Sequence, residues 1–177
     1  MDRERHEKLI AEVREVGARI KLIPDGDLSA GIAAAARGTG VHAVMGIGGA
    51  PEGVLTAAAM RCLNGEIQAR LVALNPRQEE RVKQVGIKDL NKVYSTSELA
   101  SGDNIIFAAT AVTDGDLLKG VRFFGGGART ETLIMSTQSR KIRLIDTTHD
   151  FGDAKKAFKL KWFAYSNIRI LRLLTPI

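Results

Sequence analysis

The chain has 177 residues, 26 basic against 20 acidic, and a single cysteine, Cys62. That length supports a core of ordinary size. One cysteine excludes an internal disulfide and suits a reducing cytoplasm, and no apolar run is long enough for a membrane span or, after Met1, for a signal peptide. The net charge of +6 invites a nucleic-acid partner. Yet Lys155, Lys156, Lys159, Lys161, Arg169 and Arg172 supply all of that excess, in a 155–177 segment without an acid. The rest of the chain is neutral, which argues against a nucleic-acid surface.

In chain order, Leu9, Ile10, Val13 and Val16 fall on one face of an amphipathic helix over residues 4–17, ended by Gly17. Ala18 to Ile23 reads as a strand and Pro24-Asp25-Gly26-Asp27 as the turn after it. Leu28 to Ala36 is a helix of small residues with Asp27 or Ser29 as its cap. Residues 41–45 read as a buried strand, and Glu52 to Leu63 as a helix stopped by Asn64-Gly65. Glu66 to Leu74 alternates as a strand does, through Ile67, Ala69, Leu71 and Ala73. Pro76 opens a charged helix to about residue 85. Residues 86–103 are loop-like, with a helical turn at Ser97 to Ala100. Asn104 to Val112 is a strong apolar strand, and Thr113 to Gly120 a turn or short helix. Strands are expected at Val121 to Phe124, Thr130 to Thr137 and Lys141 to Thr147, with Ser139 in the last hairpin turn. The expected class is α/β: a parallel or mixed sheet with flanking helices in the first half and antiparallel strands in the second.

Two loops carry the chemistry. Gly46 to Gly53 joins a strand to a helix. Its glycines permit close backbone approach to a ligand, Pro51 suits the first helical turn, and Glu52 stands at the positive end of the helix dipole. Amides beside a carboxylate suit a ligand bearing both a phosphate and a divalent cation. The loop is neither a Walker A motif nor GxGxxG. Asp25-Gly26-Asp27 sets two carboxylates at the end of the preceding strand, where ligands of open α/β sheets sit. A cap and a turn would account for the same two aspartates. Arg3, Arg5 and His6 form a basic cluster at a helix start, and guanidinium is a good fork for phosphate. Gly125 to Gly127 with Arg129 is either an anion nest or a plain turn. His42 and His149 lack neighbours at metal-ligand spacing, Cys62 reads as core, and nothing supports a Ser139–His149–Asp146 triad.

Arg3-Glu4-Arg5-His6, Ile23 to Asp27, Met45 to Gly53, and Val121 to Phe124 with Gly126 to Thr130 occur in an order that closely resembles the class II fructose-1,6-bisphosphatases. They also resemble the related cyanobacterial enzymes that accept sedoheptulose 1,7-bisphosphate. The resemblance covers residues 2 to 152 and only the C-terminal half of the family. It implies the C-terminal lobe of a metal-dependent sugar-phosphatase fold over 1–152, with 153–177 as a basic, apolar tail. The implied activity is hydrolysis of the 1-phosphate of fructose 1,6-bisphosphate, in gluconeogenesis or the Calvin cycle, by a cytoplasmic homo-oligomer using Mn²⁺ or Mg²⁺. Arg3, Glu4 and Arg5 match a substrate-contacting stretch in which some members carry Pro where this chain has Glu4. Asp25, Gly26 and Asp27 match the sugar-contacting segment, Gly49 a backbone substrate contact, and Glu52 a metal ligand. The half without a counterpart here carries most of the metal-binding carboxylates. The expectation is a fragment, with Met1 immediately before the matched Asp2, inactive alone. The alternatives are another metal-dependent sugar- or inositol-phosphate phosphatase and a non-catalytic sugar-phosphate-binding module.

Overall fold

A computed structural model describes residues 2–84, 86, 87 and 89–152; the 153–177 tail lies outside the described residues. The chain divides into two compact units, Met1–Gly102 and a second from Asp103 onward.

The first unit is built on helices. A 3-10 turn at Glu4–His6 leads into α1, Glu7–Glu15, and Gly17 follows with a positive φ of 75°. None of the α1 residues is buried, so the expected apolar face is only half covered and Val16 is exposed. Helix α2, Asp27–Ala35, packs on α3, Ala50–Leu63. A Cβ on Gly31 would lie 2.6 Å from Thr56 Cγ2, so the absence of a side chain there sets how closely the two helices approach. Ile32, Ala33, Leu55, Ala57, Ala58, Ala59, Met60 and Cys62 form the core. Alanines do the filling that the scarce aromatics cannot. Asn64 ends α3 in the left-handed region, as the Asn-Gly pair predicts. Helix α4, Pro76–Gln84, is exposed along nearly its whole length.

The first-half sheet is where the sequence reading needs correction. Residues 18–23 and 41–45 belong to no strand ladder among the described residues, and 66–74 contributes only β1, Ala69–Arg70. That strand pairs antiparallel with β2, Val93–Tyr94, which the sequence reading missed. A strand exists only where a neighbour satisfies its backbone groups. The 41–45 run is correspondingly exposed rather than buried, with Val44 at 48% and Met45 at 63%. Period-two burial nonetheless persists through 66–74, where Ile67, Ala69, Leu71 and Ala73 are the less exposed residues.

Helix α5, Thr96–Leu99, begins at Ser95, whose Oγ accepts the Glu98 N–H at 3.4 Å while Glu98 Oε2 accepts the Ser95 N–H at 2.9 Å. This reciprocal cap holds the Glu98 carboxyl down at about 2, the Ser95 amide contributing most, followed by Lys92 and the Ser95 hydroxyl. A carboxyl lower in the folded state stabilises above its unfolded range and loses that contribution as pH falls toward 2. Glu98→Gln should therefore weaken α5 at pH 7 and be indistinguishable from the parent chain near pH 2, as read by amide exchange within the helix.

The second unit is an antiparallel sheet. Strand β5, Gly127–Ser136, is central; β3, Ile106–Thr110, and β4, Arg122–Phe124, share one of its edges, and β6, Ile142–Asp150, covers the other. The antiparallel expectation holds, and β5 and β6 are longer than the sequence suggests. Residues 113–120 form turns with no helix. Phe107, Leu133 and Met135 are buried on one face.

Candidate functional site

The first unit brings most of the sequence-selected residues together through four contacts. The Asp2 N–H donates to Ile23 O at 3.2 Å, and Arg3 Nη2 donates to Pro24 O at 2.9 Å. Arg5 Nε and Nη2 both donate to Ile47 O, at 3.1 and 2.9 Å. The Ile47 N–H donates to His6 Nε2 at 2.8 Å. The stretch Arg3–His6 thus ties the 23–24 turn and the glycine loop to one short helical turn. Arg3 and Arg5, selected as phosphate forks, here grip backbone carbonyls. Glu4, between them, is exposed.

Asp25 is exposed, and its Oδ1 accepts the Gly26 N–H at 2.8 Å. Gly26 is the N-cap of α2, in the left-handed region at φ 90°. The expected caps take other roles: Asp27 is the first helical residue, and Ser29 Oγ donates to Gly26 O at 2.8 Å instead of accepting an amide. Asp27 is thereby free to turn toward the neighbouring loop. Gly49 is the N-cap of α3 and donates its N–H to Glu52 Oε2 at 3.2 Å.

The two loops meet at Gly48. A Cβ placed there would lie 2.7 Å from Asp27 Oδ2 and 3.8 Å from Glu52 Oε2. Two carboxylates, each on the first turn of its own helix, therefore flank one residue that has no side chain. Both are half-buried. Asp27 and Glu52 converge as the sequence suggests, whereas Asp25 bonds to its own turn. Hard carboxylate oxygens suit Mg²⁺ or Mn²⁺. The set is short, however: among the described residues no group of three His, Cys, Asp or Glu side chains is placed to hold a metal. Sequence reasoning missed His6 as the partner of Ile47. The only signal was its position beside two arginines at a helix start, and it is 2% exposed.

Elsewhere, a cleft of about 430 Å³ at the other end of α3, lined by Met60, Arg61, Asn64 and Thr96 among others, shares no residue with this site. In the second unit, Gly125-Gly126 make the plain turn between β4 and β5. Arg129 Nε donates to Thr148 Oγ1 at 3.3 Å, and His149 Nε2 meets Thr130 Oγ1 at 2.9 Å. No hydrogen bond joins Ser139, Asp146 and His149 among the described residues.

Residues 1–149 match the family model described as bacterial fructose-1,6-bisphosphatase, glpX-encoded. The chain is 56% identical over 161 residues to a D-fructose 1,6-bisphosphatase class 2/sedoheptulose 1,7-bisphosphatase of Synechococcus sp. (strain JA-3-3Ab), covering 84% of this chain and 46% of that protein. It is 50% identical over 167 residues to the protein of the same name from Trichodesmium erythraeum (88% and 48%), and 50% over 173 residues to that of Thermosynechococcus vestitus (90% and 50%). The chain spans about half the length of these relatives.

Proposed function

The chain belongs to the glpX-encoded class of bacterial fructose-1,6-bisphosphatases, and from that premise we propose that it supplies the sugar-phosphate contacts and one metal ligand of a sugar bisphosphatase. The reaction is hydrolysis of the 1-phosphate of fructose 1,6-bisphosphate. The observation that carries this reading is the convergence of Asp27 and Glu52 on Gly48. Asp27 and Asp25 would accept hydrogen bonds from sugar hydroxyls, and the Gly48-Gly49 backbone would lie against the substrate. Glu52 would hold Mg²⁺ or Mn²⁺, which when bound neutralises phosphate charge and lowers the pKa of a ligated water. The remaining oxygens would come from the part of the family's length that this chain does not cover, and from substrate. No helix among the described residues is long and apolar enough to cross a membrane. The buried Cys62, the chain's single cysteine, suits the proposed cytoplasmic setting. The working assembly would be a homo-oligomer of the full-length enzyme.

A second reading built on the same convergence of Asp27 and Glu52 on Gly48 is a sugar-phosphate-binding module without catalysis. Titration calorimetry of the full chain with fructose 6-phosphate separates the two. Micromolar binding without turnover supports the module; no binding supports an incomplete lobe. If binding occurs, Gly48→Ala should weaken it roughly tenfold or more, since the new methyl meets Asp27 at a distance that real Cβ atoms avoid. Unchanged affinity in that variant would remove Gly48 from the site.

A further inference from the structure

We propose that His6 is the positioning residue of the glycine loop, acting as a neutral imidazole with its proton on Nδ1. Its role in the site rests on the proposed function; its geometry does not. Ile47 is the non-glycine residue inside the run Gly46 to Gly49, and both of its backbone polar groups are taken by consecutive side chains. His6 Nε2 accepts its N–H at 2.8 Å, and Arg5 grips its C=O through two donors at 3.1 and 2.9 Å. An acceptor at Nε2 requires that nitrogen to be unprotonated, which places the neutral ring's proton on Nδ1. The ring is 2% exposed, so a buried acceptor here is a fixed structural device and not a solvated side chain. Gly46 lies against it: a Cβ at that position would come within 3.2 Å of Nε2 and 3.3 Å of Cε1. The ring therefore touches the loop at two successive residues.

The clamp matters because Ile47 leads directly into the carboxylate cradle. Gly48 comes next, flanked by Asp27 and Glu52, and then Gly49, whose N–H is bonded to Glu52. Fixing one peptide unit on both sides fixes the direction in which the next amides point. A glycine run left to itself would sample many backbone conformations. His6 and Arg5 remove that freedom by holding the Ile47 N–H and C=O.

The test uses the full 177-residue chain, labelled with ¹⁵N. In the parent protein the His6 ring should give an unprotonated Nε2 signal and a protonated Nδ1; a protonated Nε2 overturns the proposal. His6→Leu should speed amide exchange at Ile47, Gly48 and Gly49 roughly tenfold or more, while the interior of α3 stays protected. His6→Gln, which keeps an acceptor, should restore much of that protection. Equal exchange in the parent chain and His6→Leu, or equal loss in the Leu and Gln variants with α3 intact, overturns it. Gly46→Ala should mimic His6→Leu by displacing the ring. If the parent chain fails to bind fructose 6-phosphate while these signatures hold, the binding-module reading fails and the clamp stands.

Discussion

Leu133→Ala is expected to lower the unfolding free energy by roughly 2–5 kcal/mol, and Leu144→Ala by less than about 0.5 kcal/mol. The two leucines are cross-strand partners in β5 and β6, so they project from the same face of the sheet. Residue type, face and strand neighbour are matched; what differs is burial, 2% for Leu133 and 67% for Leu144. Truncating a buried leucine removes apolar contact and leaves a cavity that close-packed neighbours refill only in part. Phe107 and Met135 are buried on the same face. Truncating an exposed leucine returns little area to water and leaves no void. Urea denaturation of the two variants, at unchanged slope, measures the difference. Equal losses would show that β6 carries core weight that its exposure hides.

What the sequence revealed depended on how local the determining interaction is. Helix α3 was legible at both ends, since Pro51 and Asn64-Gly65 act within a turn of themselves. The β5–β6 hairpin was legible because Thr130–Thr137 and Lys141–Thr147 are rich in β-branched and apolar residues and a short turn around Ser139 joins them directly. Residues 18–23 and 41–45 carry the composition of strands, but composition cannot report whether a neighbour is present to pair with. For the same reason β2 was missed: Val93-Tyr94 is a strand only because Ala69 and Arg70 lie opposite. At the site, Asp27 and Glu52 were legible as acids opening two successive helices. The His6–Ile47 bond was not, because it spans 41 residues and no spacing rule reaches across that distance. Arg3 and Arg5 were legible as guanidinium forks at a helix start, but not as groups whose donors lie on backbone carbonyls.

The isolated chain should show no turnover of fructose 1,6-bisphosphate even with excess Mn²⁺, and mixing it with a polypeptide covering the rest of the family's length should create turnover. The number of oxygen donors decides this. Octahedral Mg²⁺ requires about six oxygens and surrenders its waters reluctantly, so it is held by several carboxylates together with substrate phosphate. Here Glu52 and at most Asp27 face the cradle, and Glu52 already accepts the Gly49 amide. Among the described residues nothing adds a third. Val44 and Met45, exposed at 48% and 63%, are apolar surface that a second chain could cover. In the mixed assembly Glu52→Gln should cut the rate by more than the roughly 10–100-fold typical of outer-shell partners, because it replaces a charged ligand with a neutral one. Added Mn²⁺ should recover part of that loss if Glu52 holds the cation, and none if it only caps α3. Family-level turnover by the isolated chain would overturn the donor count, and with it the assignment of Glu52 as one ligand among several.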